Sequence, residues 1–121
     1  MPSHEDELRR APIAGVESSN GSVVVRLAGE LDLYNAEQVK TALQEAAARR
    51  PERLVVDLAG VSFVDSTALA VLIDARRRLQ GQAAFRLAAP GHEVRRALEI
   101  SGLDRHLPVH ASVDDALRST I

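Results

Sequence analysis

Residues 53–58, Arg-Leu-Val-Val-Asp-Leu, make a short run that is almost continuously apolar and β-branched at its centre. A strand with one wet face alternates apolar with polar residues, so an unbroken run predicts a strand covered on both faces. Such a strand needs neighbours beside it and layers above and below. In a chain of 121 residues that means one domain in which helices pack on a sheet, without disulfide or metal staples. The aromatic residues are Tyr34, Phe63 and Phe85 alone, so Leu, Val, Ile and Ala must fill the core.

The flanking patterns supply the layers. Between Ile13 and Ala28 two extended segments surround Asn20-Gly21, a pair suited to the positive φ angles of a two-residue hairpin turn. After "GELDLY", Asn35 stands at an N-cap position with Gln38 three residues on, the spacing of a capping box. Val39, Leu43, Ala46 and Ala47 then repeat at helical spacing, predicting a helix to about Arg49, before Pro51. A second helix is expected over Ser66 to Gln80, a strand at "AAFRLAA", and a third helix in "PGHEVRRALEISGL" that Gly102 stops. A short strand at "LPVH" and a final helix capped by Ser112 complete the order. The expected class is α/β: a mixed sheet that opens with an antiparallel hairpin, continues as alternating strands and helices with right-handed crossovers, and carries its helices packed on it. Residues 1–12, charged and holding Pro2 and Pro12, read as a flexible N-terminal arm before a domain at 13–121.

Several functions are excluded by what is missing. A net charge of -2 lacks the clustered positive field that a nucleic-acid surface needs, and Arg76-Arg77-Arg78 reads as a solvated helical face. With no cysteine there is neither disulfide framework nor thiolate chemistry. His92, His106 and His110 have no carboxylate or cysteine at a metal-site spacing. No phosphate loop or nucleophile elbow occurs, and Ser66 has no paired motif for a base that would activate it, so neither enzyme chemistry nor a cofactor is expected. Asp57 ends a strand much as the phosphoacceptor of two-component receiver domains does. Those domains also need paired acids on the first strand and a lysine on the last, whereas Lys40, the only lysine, falls on the first helix. Asp57 is expected to close its strand by accepting backbone hydrogen bonds. The polar opening "MPSHEDELRR" reads as neither signal peptide nor membrane span, so a cytoplasmic protein without direct membrane insertion is expected.

The remaining chemistry sits at "FVDSTALAVLI", where Asp65, Ser66 and Thr67 separate a strand-like run from a helical one. On a helix starting at Ser66, Ala70, Ile73 and Arg77 fall on the same stripe as Ser66, while Ala68, Val71, Leu72, Ala75 and Leu79 form an opposite arc wide enough to face the sheet. Leu69 and Ile73 are then surplus apolar residues, either a partner patch or a surface covered by the third helix. The triplet itself fits two roles. All three residues are ordinary N-caps, and a hydroxyl at a helix N-terminus is also placed to carry a phosphate.

From "GELD" through "DSTAL" to "SGLDRHLPVHASVDDAL" the chain resembles the anti-sigma factor antagonists, single-domain members of the STAS family, over nearly its whole length. In that family the first serine of an Asp-Ser-(Ser/Thr)-Gly-Leu motif is phosphorylated by a partner that is both serine kinase and anti-sigma factor, an ATPase of the histidine-kinase-like type, and the unphosphorylated form captures that partner and frees the sigma factor. The resemblance implies Ser66 as phosphoacceptor, Asp65 as a neighbour needed for recognition and Thr67 as the second hydroxyl. Glu30 and Asp32 match the "GELD" loop near the docking surface, and Leu69, Ala70, Ile73 and Arg77 extend that surface along the helix. A phosphoserine phosphatase would complete the cycle. Ala68 replaces the family's usual glycine, an added methyl that would hold a partner's backbone away. An alternative implied by the same resemblance is a constitutive STAS subunit of an ABC-type lipid-trafficking transporter, bound to its ATPase.

Overall fold

The computed structural model describes residues 11–119. Most of the expected arm, residues 1–10, therefore lies outside the described residues. Pro12, assigned to the arm by its sequence, is buried, and its carbonyl accepts the Ala28 N–H at 2.9 Å, so this residue belongs to the fold.

Strands β1 (Ile13–Ser19) and β2 (Ser22–Leu31) are antiparallel. Asn20 and Gly21 turn between them with φ of 49° and 81°, as the Asn-Gly pair predicts. Helix α1 (Ala36–Ala48), strand β3 (Arg53–Val64), helix α2 (Ser66–Leu79), strand β4 (Ala84–Ala88), helix α3 (His92–Ser101), a 3-10 turn (Leu103–Arg105), strand β5 (Val109–His110) and helix α4 (Val113–Arg118) follow. The sheet has five strands in the order β1-β2-β3-β4-β5, parallel from β2 onward. Gly102 ends α3 in the left-handed conformation with φ of 77°, the geometry that glycine adopts without a Cβ penalty.

The two faces of the sheet are covered differently. On one, Val23, Val25 and Leu27 of β2, Leu54, Val56 and Leu58 of β3, and Phe85 and Leu87 of β4 pack against Val39 and Leu43 of α1, Ala68 and Leu72 of α2, and Val94 and Leu98 of α3. On the other, Val24, Val55 and Ala88 lie under Ala116 of α4. Ser112 caps α4, accepting the Asp115 N–H at 3.0 Å. Beyond its last turn, Arg53 and Arg86 of the sheet each donate to Ser119, to its carbonyl and hydroxyl oxygens respectively, at 3.1 Å. A short helix thus closes the second face with few apolar contacts and two arginine tethers.

β3 is longer than the apolar run that announces it. It continues past Leu58 to Val64, with register shifts against β2 on either side of the Ala28–Gly60 and Gly29–Val61 pairs. A Cβ at Gly60 would stand 3.2 Å from the Leu27 carbonyl oxygen, so glycine permits the strands to stay close through the irregularity. This extension carries the chain to Asp65.

Candidate functional site

β2 and β3 end side by side, with Leu31 opposite Val64. β2 opens into the loop 32–35 and β3 into Asp65, so two loops meet at the C-terminal edge of parallel strands, the usual place for a site in such sheets. The Asp65 N–H donates to the Leu31 carbonyl at 3.0 Å, which holds the strand ends together up to the first residue of α2.

Asp65 is the N-cap of α2, with extended backbone. Its Oδ1 accepts the Ala68 N–H at 2.9 Å, and its carbonyl accepts the Leu69 N–H at 3.0 Å. The other carboxylate oxygen, Oδ2, accepts the Leu33 N–H at 3.0 Å. One side chain therefore caps the helix and ties it to the β2–α1 loop. Ser66 is the first helical residue and is exposed, whereas Thr67 is partly buried. Free amides and the positive end of the peptide dipoles surround the Ser66 position.

The facing loop has its own bonding. Asp32 Oδ1 accepts the Tyr34 N–H at 3.0 Å. Asn35 Oδ1 accepts the Asp32 N–H at 2.9 Å and its Nδ2 donates to the Glu30 carbonyl at 2.7 Å. Asn35 does occupy the N-cap position of α1 but makes no side-chain cap bond, so the predicted capping box with Gln38 does not form. The physical reason is competition: the same amide group closes the turn behind it, the alternative that Asn and Asp side chains commonly take. The "GELD" residues divide accordingly, Glu30 exposed and Asp32 partly buried within the loop's own bonds.

Along α2 the two predicted arcs separate. Ala68, Leu72 and Leu79 are buried, and Val71 and Ala75 pack partly on the same core. Ser66, Ala70, Ile73 and Arg77 are exposed, with Ile73 retaining 43% of its surface. Arg77 and Arg78 both pair with Asp74, at 3.1 and 2.8 Å. Of the two surplus apolar residues, Leu69 is partly buried against the core, whereas Ile73 stands out from it. One expectation needs correction. Ala68 is 2% exposed, so its methyl fills the core and cannot hold a partner's backbone away.

Sequence reasoning missed three apolar residues at this end: Leu33 is 65% exposed and Tyr34 79% exposed in the loop that Asp65 holds, and Phe63 is exposed two residues before it. The signal was present in "LDLYN", where neither Leu33 nor Tyr34 fits the helical period of α1.

Other candidates lie elsewhere. Asp57 Oδ1 accepts the Ala59 N–H at 2.9 Å and its Oδ2 is 3.7 Å from Arg26 Nε. It accepts a backbone hydrogen bond as expected, but β3 runs on to Val64, so it does not close the strand. His92 begins α3, His106 follows the 3-10 turn and His110 lies on β5; among the described residues no three His, Cys, Asp or Glu side chains gather as a metal set. No helix among the described residues is long and apolar enough to cross a membrane.

Residues 14–116 match the STAS domain. The anti-sigma-F factor antagonist RsfB of Mycobacterium tuberculosis is 32% identical over 102 residues, 84% of each chain. The crystal structure of an anti-sigma factor antagonist from Mycobacterium paratuberculosis superposes with a TM-score of 0.80 at 34% identity, over 84% of this chain and 87% of that one. The unphosphorylated form of the anti-sigma factor antagonist SpoIIAA superposes with a TM-score of 0.72 at 25% identity, over 85% of this chain and 91% of that one.

Proposed function

This chain belongs to the STAS-domain family, alongside its anti-sigma factor antagonists, and on that premise we propose that it is an antagonist controlled by phosphorylation of Ser66. In this reading the unphosphorylated form captures an anti-sigma factor that is also a serine kinase of the histidine-kinase-like ATPase type, and a sigma factor is released. The kinase supplies ATP, metal and catalytic base; this chain supplies a hydroxyl. A phosphoserine phosphatase returns it to the binding form.

The observation that supports the reading is the position of Ser66: exposed, first in its helix, and beside the loop that presents Leu33 and Tyr34. A phosphoryl group there adds about -1.5 to -2 charge next to Asp65. The helix dipole tolerates that charge in the free protein, but a docking surface must lose water on binding. Like or unpaired charge in an interface costs several kcal/mol, and about 3 kcal/mol already exceeds a hundredfold in affinity. Binding is therefore abolished by blocking the surface, without refolding the domain.

Incubation with a candidate kinase, magnesium and ATP, followed by peptide mass spectrometry, is expected to place the phosphate on Ser66 and not on Thr67. Pull-downs with wild type, Ser66→Ala and Ser66→Asp should retain the kinase for the first two alone. Phosphate confined to Thr67, or equal recovery of one partner by all three proteins, overturns the switch; equal recovery of a transporter ATPase would favour a constitutive subunit.

A further inference from the structure

The carboxylate of Asp65 spans two structural units, and we infer that it is a positioning residue: it holds the 32–35 loop against the start of α2 so that Leu33, Tyr34 and Ser66 meet a partner as one surface. Its place in that presentation rests on the function proposed above, whereas the clamp itself stands on geometry alone.

Both oxygens are engaged by backbone amides of the same chain. Oδ1 takes Ala68 N–H at 2.9 Å and Oδ2 takes Leu33 N–H at 3.0 Å. An ordinary N-cap needs one acceptor, which serine, threonine or asparagine also provides. Only a carboxylate of this length offers a second acceptor on the same short stem: asparagine has a single carbonyl oxygen, and a hydroxyl cannot reach both amides at once. The second bond crosses 32 residues of sequence and fastens a loop already stiffened from within by Asp32 and Asn35. The loop then moves with α2, and its large exposed apolar side chains keep a fixed relation to Ser66. Fixing a surface before binding lowers the ordering cost of association. An aspartate whose oxygens face inward to two amides influences recognition through the loop it holds.

The decisive variant is Asp65→Ser, which leaves a good cap for Ala68 and removes the acceptor for Leu33. In the free protein, amide exchange followed by NMR should speed up about tenfold at Leu33, the size expected for losing a hydrogen bond to a charged acceptor, with Ala68 nearly unchanged. Asp65→Asn, with one acceptor oxygen, should deprotect one of the two amides and leave the other. Affinity for the anti-sigma kinase should fall about tenfold with the loosened loop. Unchanged exchange at Leu33 in both variants overturns the clamp. Lost affinity with unchanged exchange would make Asp65 a direct contact, and accelerated exchange with full affinity would remove its part in recognition. If the wild type binds no anti-sigma kinase, the proposed function falls and the presentation of the surface with it, while the exchange rates still decide the clamp.

Discussion

One side of α2 and the other obey different rules. Toward the sheet, Ala68, Leu72 and Leu79 are buried in the cluster that joins three helices to the strands. Away from it, Ser66, Ala70, Ile73 and Arg77 remain in solvent, next to a loop that exposes Leu33 and Tyr34. The inner side is fixed by the need to remove apolar area from water, and its residue types are interchangeable as long as they fill space. The outer side contributes little to folding, so its residues are free to be chosen for what they meet. The first residue of such a helix can therefore change without risk to the core at Ala68 and Leu72, because the period of the helix keeps the two populations apart.

Substitutions should separate those populations. The largest effect on stability is expected for Leu72→Ala, at 1% exposure: a cavity under α2 costs about 2 to 5 kcal/mol, read as a lowered midpoint in urea. If that midpoint hardly moves, the inner side is not the foundation of the helix. Next comes Ile73→Asp, which places an unpaired charge on the outer side. It should weaken partner binding by about 2 kcal/mol or more, measured by titration calorimetry, while the melting temperature stays near that of the wild type. A melting loss as large as that of Leu72→Ala would make Ile73 part of the core. The smallest effect should be that of phosphorylating Ser66 on stability, within roughly 1 kcal/mol of the unmodified protein, since the group enters where amides and dipoles favour negative charge. Paired melting curves and amide spectra test it, and shifts that spread to Leu54–Leu58 would mean that a conformational change carries the signal.

The inner side of α2 was legible in the sequence because burial writes a period into the residue order. The same holds for the Asn20-Gly21 turn, whose positive φ angles few residues tolerate, and for the central strand. Legibility failed where a residue had two local options or a distant partner. Asn35 carries a good capping signal, but its side chain closes the loop behind it instead. Ala59-Gly60 looks like the end of a strand, yet β3 runs on through it because the parallel neighbour β2 absorbs a register shift. The bond from Leu33 to Asp65 leaves no local trace at all, since neither residue's neighbours in sequence require it. Ala68 shows the opposite failure: comparison with a motif made its methyl an obstacle, whereas the helical period alone had already assigned it to the core.

The strand order β1-β2-β3-β4-β5 bears on how the chain reaches this state. Each strand pairs with its neighbour in sequence, and each connection to be closed is a turn, one helix or, between β4 and β5, a helix followed by a 3-10 turn. Beyond the hairpin, however, each pairing joins parallel strands across a whole helical connection, as Ser22 with Arg53 and Arg53 with Ala84. The entropy of closing that loop must be met before the contacts repay it, and folding is slowed. The hairpin, α1 and β3 are all complete before Asp65 is reached in the chain. Synthesis proceeds from the N-terminus, so the Leu33 amide is made before the Asp65 carboxylate that holds it.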